Sequence, residues 1–284
     1  MAALLGTIIV LVCVSGGYIL SHGQMYALWQ PYELVIICGA ATGGFVIANP
    51  GHVIKATFGR CLGLLKGPKY NKKSYLELLA LMYAIFGKAR KEGMMAIEAD
   101  IEDPHDSEIF QQYPNIIKDH HVMEFISDYL RIIVGGNMNP FELENLMDIE
   151  METHHHEAEQ PGAALQAVAD GLPGFGIVAA VLGIVITMGA LDGTAEEIGH
   201  HVGAALVGTF LGILMAYGFV GPMSTAVGHR VAGESKVFDC LKVCLLSTVN
   251  GYSPQVAVEF GRKTLASADR PSFEELETYL KENK

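Results

Sequence analysis

The sequence predicts an all-α fold: a polytopic membrane protein with four transmembrane helices and a helical cytoplasmic domain. Hydrophobic residues make up 50% of the 284 positions, and they concentrate in four apolar blocks. Two of these blocks, residues 171–190 and 202–220, approach the ~20 apolar residues that a helix needs to cross a bilayer. No stretch alternates convincingly at a period of two, the pattern that is typical of a half-buried strand.

Transmembrane helices 1 and 2 are predicted within the first domain, residues 1–54. Residues 1–20 carry no charged side chain. A cleaved signal peptide has a basic start, so these residues are interpreted as a membrane helix. The second block covers about residues 34–54, and the Asn49-Pro50-Gly51 breaker is expected to mark its far end. Helices 3 and 4 are predicted within residues 163–224.

The positions of lysine and arginine predict the orientation of these helices. The two links at residues 21–31 and 191–201 contain neither residue type. Because cations that flank membrane helices stay on the cytoplasmic side, the links are predicted to be periplasmic. A cytoplasmic helical domain at residues 55–162, cytoplasmic C-terminal helices at residues 225–284 and two cytoplasmic termini would then place all 19 cations on one side.

The cytoplasmic domain has the signals of successive helices. Ser74 and Glu77 have the spacing of a capping box and predict a helix over about residues 75–91. Asn139-Pro140 supplies an N-cap and a first-turn proline, which predicts a helix over about residues 141–157.

Composition and motifs exclude several classes of function. The net charge of -12 argues against nucleic-acid binding, which requires a basic surface to neutralise phosphates. No nucleophile constellation, phosphate-binding loop or dinucleotide fingerprint occurs, so neither enzymatic activity nor a cofactor is expected. The histidine runs at residues 120–121 and 154–156 do not predict a metal site, because adjacent side chains on a helix point in different directions.

Three residues at the cytoplasmic ends of the third and fourth apolar blocks are candidates for coupling ion movement to conformational change. Pro173 and Pro222 each remove a backbone N–H from a helix. They start and stop helices on the simpler interpretation, whereas a matched pair at one membrane level favours a hinge. Asp170 is either a charge that the helix dipole stabilises or a group that draws cations inward.

Thr209 and Tyr217 are polar residues on roughly one face of the fourth block. A hydroxyl that bonds back to its own helix is common, and a place beside a water-filled ion path is the alternative. No Asp, Glu, Lys or Arg is predicted at mid-membrane depth, although such residues usually carry protons across bilayers. If the chain conducts ions, the titrating carboxylate is therefore expected from a partner.

Arg90 and Glu98 lie in a dense mixed-charge stretch on either side of Gly93. Such a stretch is ordinarily a solvated helix face whose surface ion pairs contribute little to stability. The alternative is a charged surface that another protein contacts.

Several longer passages together identify a family. They are Tyr32-Glu33-Leu34-Val35-Ile36-Ile37, Glu98-Ala99-Asp100-Ile101-Glu102, residues 172–180 and 207–217, Val258-Glu259-Phe260-Gly261-Arg262-Lys263 and Arg270-Pro271-Ser272-Phe273. In these passages the chain resembles the MotA family, the A subunits of bacterial flagellar stators.

The resemblance implies partners and residue roles. Subunits of this family form a pentamer in the bacterial inner membrane around a MotB dimer, whose aspartate binds the ion, and they pass torque to the rotor protein FliG. Arg90 and Glu98 match the family's rotor-contacting charges, and Glu150 is assigned to the same charged surface. Pro173 and Pro222 match its coupling prolines.

The resemblance also bears on the transported ion. Sodium-driven relatives tend to carry threonine where this chain has Ala180, and alanine has no oxygen to replace sodium's hydration shell, so protons are expected. The alternatives are a proton-driven energiser of the ExbB or TolQ kind, which acts on a periplasmic partner, and a membrane scaffold without ion flux. Relatives of the ExbB kind typically have three membrane helices and lack the segment from Arg90 to Glu98.

Overall fold

The computed structural model describes residues 2–136, 138–189 and 194–282. Within these ranges all regular elements are helical, which confirms the all-α class. The α-helices are α1 (Ala2–Leu20), α2 (Pro31–Ala48), α3 (Gly51–Gly63), α4 (Lys72–Glu92), α5 (Glu98–Glu102), α6 (Glu108–Gln111), α7 (Pro114–Ile117), α8 (His120–Gly135), α9 (Pro140–Gly189), α10 (Ala195–Met215), α11 (Gly221–Val249), α12 (Pro254–Thr264) and α13 (Phe273–Glu282).

The chain divides into two compact units, each built from two separate stretches. One unit contains Met1–Gly67 and Ala158–Arg230, and the other contains Pro68–Glu157 and Val231–Lys284. Helices α9 and α11 therefore contribute residues to both units. The first is called the membrane unit below and the second the polar unit.

The membrane unit contains the helices that can cross a bilayer. Four helical segments of the described chain are long and apolar enough to do so: Ala3–Leu20, Met25–Ala48, Pro140–Gly189 and Ala195–Val249. Side chains of residues 3–20 are all at least partly exposed, as expected for a helix that packs against lipid. The four predicted membrane helices are confirmed.

Two helix boundaries differ from the sequence prediction. The second block ends at Ala48, at the predicted breaker, but residues 51–54 belong to a separate helix, α3. The helix expected to end near residue 157 continues to Gly189, so Pro161 and Pro173 both lie inside α9. A proline removes one helical hydrogen bond, and membrane helices tolerate this loss because neighbouring groups satisfy the freed backbone.

The polar unit has a continuous apolar core around α4, with Leu79, Leu81 and Met82 fully buried. The N-cap of α4 is Asn71, whose side chain accepts a hydrogen bond from the Ser74 backbone N–H. The prediction that Ser74 caps this helix was therefore wrong, since the cap lies one turn earlier, at Asn71. Glu77 instead accepts hydrogen bonds from Asn115. At the other end Gly93, with a φ of 95°, terminates the helix, a conformation that favours glycine.

Candidate functional site in the membrane unit and on the polar surface

Helices α9 and α10 cross through a stripe of small residues. A Cβ atom on Gly176 would lie 2.9 Å from the Gly208 carbonyl oxygen and 3.1 Å from Gly212 Cα. A Cβ atom on Gly183 would lie 2.9 Å from Ala205 Cβ. The backbones are therefore in direct contact, the packing by which small residues join membrane helices.

The predicted ion-path residues Ala180 and Thr209 both lie along this crossing. The Ala180 backbone nitrogen is 3.5 Å from the place where a Gly208 side chain would begin, and Thr209 Cα is 3.4 Å from the corresponding place on Gly176. In the described part of the chain, the Thr209 hydroxyl makes no hydrogen bond, whereas Thr187 donates one to the Gly183 carbonyl at 2.9 Å. The role of Thr209 beside an ion path stays a prediction.

Glu33 is a site residue that the sequence analysis missed. Its Cγ atom lies 3.5 Å from the same position beside Gly208, so a carboxylate of this chain reaches the α9–α10 crossing. The sequence analysis expected no acidic residue at mid-membrane depth and named none at this crossing. The second apolar block was taken to begin at about residue 34, so Glu33 fell between that block and the link at residues 21–31, although α2 begins at Pro31.

Tyr217 and Pro222 lie at or beside a local widening of the fourth membrane helix. Residues Ala216–Val220 form a π-helical turn, in which the Gly221 N–H donates to the Ala216 carbonyl. A π turn relieves the clash that a proline ring makes with the preceding turn, and Pro222 follows directly. The Tyr217 side chain is 70% exposed on this turn.

Pro173 and Asp170 lie on the part of α9 that approaches this region. A Cβ atom on Gly212 would lie 2.7 Å from the carbonyl oxygen of Leu172, the residue before Pro173. Asp170 is exposed and accepts a hydrogen bond from Gln166 at 2.8 Å. The structure therefore places the Pro173 turn beside α10 and leaves Asp170 at the surface of the unit.

The rotor-surface candidates Arg90 and Glu98 are exposed at the ends of α4 and α5. In the described chain neither forms an ion pair, although both lie beside a fixed one. Lys88 binds Asp100 at 2.7 Å, and the Ser107 hydroxyl donates to the same carboxylate at 2.7 Å. These contacts hold the Gly93 turn in place and leave the two outer charges available.

Glu150 differs from the other two charged candidates because its carboxylate already has a partner. It lies on α9, where it accepts a 2.6 Å hydrogen bond from the buried Tyr129 hydroxyl of α8. Burial, followed by this hydrogen bond, raises the pKa of Tyr129. The geometry gives Glu150 a structural contact within the polar unit.

The histidine runs are packed side by side. The His121 and His154 rings lie 5.6 Å apart, and the His154 ring also packs against the Phe238 ring at 4.8 Å with an interplanar angle of 56°. In the described residues, no group of three histidine, cysteine or acidic side chains could hold a metal ion.

Comparisons with known proteins place the chain in a family. Residues 4–93 match the motility protein A N-terminal model, and residues 118–239 match the MotA/TolQ/ExbB proton channel family. A motility protein A from Escherichia coli is 51% identical over 99% of this chain and 95% of its own length. Chemotaxis protein LafT from Vibrio parahaemolyticus is 41% identical over 99% of both chains.

Solved structures agree with the sequence matches. The Bacillus subtilis MotAB stator complex contains a chain that is 26% identical, with a TM-score of 0.71 over 90% of this chain and 92% of that one. A chain of the C. jejuni MotAB structure has the same fold, with a TM-score of 0.77 and 18% identity. The match covers 96% of this chain and 98% of that one. The chain belongs to the motility protein A family, within the MotA/TolQ/ExbB proton channel family.

Proposed function

We propose that this chain is the A subunit of a flagellar stator, which turns ion flow across the inner membrane into torque on the rotor. The proposal rests on two exposed charges, Arg90 and Glu98, which form no ion pair within the described residues and flank a turn that the Lys88–Asp100 ion pair fixes. A fixed turn with free charges of both signs suits electrostatic contact with a complementary charged partner. The rotor protein FliG is that partner in this proposal.

The proposal assigns the central ion-binding carboxylate to MotB. Five copies of this chain would surround a MotB dimer, with both termini and the polar unit in the cytoplasm. The crossing of α9 and α10 is lined by glycine and alanine, which gives it a smooth wall but few ion ligands. The related stator structure from Bacillus subtilis contains both subunits, which supports MotB as the partner.

Protons are the proposed coupling ion, and no cofactor is required for this role, which is a transport and force-generating one rather than an enzymatic one. Sodium must exchange its hydration shell for several oxygen ligands, and Ala180 supplies none from its side chain. A unit charge that crosses 100 mV releases about 2.3 kcal/mol, several times the thermal energy. Rotation that persists without a proton gradient in a sodium gradient would contradict this assignment.

Charge reversal at the polar surface tests the proposed function. In a strain that lacks this chain, Arg90→Glu and Glu98→Lys are expected to reduce swimming severely, because each reverses one side of the proposed rotor contact. Lys73→Glu is the control for Arg90→Glu, since its side chain is 77% exposed at the opposite end of α4, and swimming should be retained. Membrane amounts and copurification with MotB should be unchanged in all three variants.

The outcomes also separate the alternatives. If wild type restores swimming and both reversals swim normally, the rotor contact lies elsewhere on the chain. If wild type does not restore swimming, an energiser of the ExbB or TolQ kind or a passive scaffold becomes the better description. The four membrane-capable helices of the described chain favour the stator over the energiser.

A further inference from the structure

The Glu33 side chain ends in an unsatisfied buried oxygen. Its Oε2 atom is inaccessible and makes no hydrogen bond with any residue that the structure describes. Leaving a buried polar atom without a partner costs about 1–3 kcal/mol, and more when the group is charged. Such groups are rare in native structures and often have a functional reason.

The position of Glu33 is defined by its neighbours on α9 and α10. A Cβ atom on Gly208 would lie 3.5 Å from Glu33 Cγ, 3.2 Å from Ala179 Cβ and 3.5 Å from the Ala180 nitrogen. Ala180 is near the middle of the apolar run 171–190, about 15 Å from either end at 1.5 Å per residue. Glu33, in the first turn of α2, therefore reaches the crossing of α9 and α10 beside Ala180 and Gly208.

The surroundings of Glu33 suit a proton better than a metal cation. The residues that lie with Glu33 around Gly208 are Ala179 and Ala180, whose side chains bring neither a charge nor an oxygen. A sodium ion would need several oxygen ligands, whereas one proton is enough to neutralise a carboxylate. Glu33 is also in the first turn of α2, where the helix dipole stabilises the negative charge that remains when the proton leaves.

We propose that Glu33 is a proton-binding residue of the ion path, at the level of Ala180 and Gly208. A proton from water binds one carboxylate oxygen and cancels the negative charge. The O–H bond then breaks as the proton passes to water or to the acceptor carboxylate of the partner, and the charge of Glu33 is restored. This inference rests on the proposed function and adds an ionisable group from this chain to the path.

Three variants in the assembled complex test the inference. Glu33→Gln keeps the size of the side chain but cannot exchange a proton in this way, so torque in tethered cells should fall at least tenfold. Glu33→Asp keeps a carboxyl group and should restore part of the torque. Glu196→Gln is the matched control, since Glu196 is an exposed carboxylate in the first turn of α10, and its torque should equal that of wild type.

Infrared difference spectroscopy of the purified complex separates proton binding from a structural role. Wild type is expected to show a carboxyl C=O band that appears on acidification, is absent in Glu33→Gln and shifts in Glu33→Asp. The same band and wild-type torque in Glu33→Gln would overturn the inference while leaving the stator function intact. If Glu33→Gln fails to assemble, an unshifted band in Glu33→Asp would overturn it. If wild type fails to restore rotation, the proposed function fails first.

Discussion

Arg262 and Glu33 are two ionisable residues with opposite surroundings. Arg262 is 5% exposed and donates to both oxygens of Glu259, at 2.7 and 2.6 Å, and to the Pro271 carbonyl at 2.7 Å. Such a bidentate pair satisfies the planar guanidinium group. A charge that is fully bonded in this way has a structural role, whereas the buried Oε2 atom of Glu33 has no hydrogen-bond partner among the described residues.

Removing the Glu259 charge should destabilise the polar unit in a pH-dependent way. The hydrogen bonds from Arg262 lower the pKa of Glu259 in the folded protein. Its contribution is therefore present above the ordinary value of 4.5 and disappears as the pH falls through the lower folded value. At neutral pH, Glu259→Gln should cost about 1.5–3 kcal/mol, measured as a lower melting temperature of the detergent-solubilised complex.

The same measurement at acid pH provides the decisive comparison. The difference between wild type and Glu259→Gln should shrink as the pH falls below 4.5 and through the lower pKa that Glu259 has in the folded protein. Glu277→Gln is the control, because the Glu277–Lys281 pair is largely exposed and such pairs contribute about 0–1 kcal/mol. A gap that stays constant with pH would indicate that packing, rather than charge, explains the effect of Glu259.

At the level of helices, the contact between α9 and α10 depends on individual glycine residues, which have no side chain. Gly176→Ala would place a methyl group 2.9 Å from the Gly208 carbonyl oxygen, so the two backbones would have to separate. Gly174 lies two residues away on the same helix, and a Cβ atom there meets nothing within 4 Å. We expect Gly176→Ala to lower the melting temperature of the solubilised complex and Gly174→Ala to leave it unchanged.

Crosslinking gives a second measurement of this contact. Cysteines introduced at Ala179 and Gly208, whose backbones adjoin, should form a disulfide efficiently in the Gly174→Ala background and poorly in the Gly176→Ala background. Equal crosslinking and equal melting temperatures in the two backgrounds would mean that the crossing tolerates a methyl group. The close approach of the two helices would then not depend on glycine at position 176.

The elements that the sequence predicts correctly are those with a local cause. The membrane helices follow from apolar length, and the start of α9 follows from Asn139, whose side chain accepts a hydrogen bond from the Glu142 N–H. Errors arose where distant contacts decide the outcome. Pro173 suggested a helix boundary, but α9 continues through it beside α10. Ser74 suggested a cap, but Asn71 captures the Ser74 N–H.

The site could be predicted only in part for the same reason. Pro173, Pro222, Ala180 and Thr209 stand out by residue type within apolar runs, whereas Glu33 required knowledge of which helix it faces. Its sequence neighbours place it at the start of a helix, and only packing against Gly208 shows that it reaches the crossing of α9 and α10. No local sequence pattern shows that a glycine on one helix will contact an acidic residue on another.

At the scale of the whole molecule, the basic residues are distributed unevenly along the chain. The chain has 31 acidic and 19 basic residues, yet the links at residues 21–31 and 191–201 contain no lysine or arginine. Acidic residues do occur in the second link. Cations resist transfer across the membrane more than acidic residues do, so this asymmetry predicts one orientation for all four spans together.

Cysteine labelling of intact cells tests that orientation. A membrane-impermeant thiol reagent should label Glu196→Cys from outside, because Glu196 is exposed in the second link. Lys263 also has an exposed side chain, 61% accessible, but Lys263→Cys should react only after the inner membrane is permeabilised. The unmodified chain, with its five native cysteines, measures the background labelling. Cys240 and Cys244 are buried, whereas Cys13 is exposed. Labelling of Lys263→Cys in intact cells would reverse the orientation and, with it, remove the polar unit from contact with a cytoplasmic rotor.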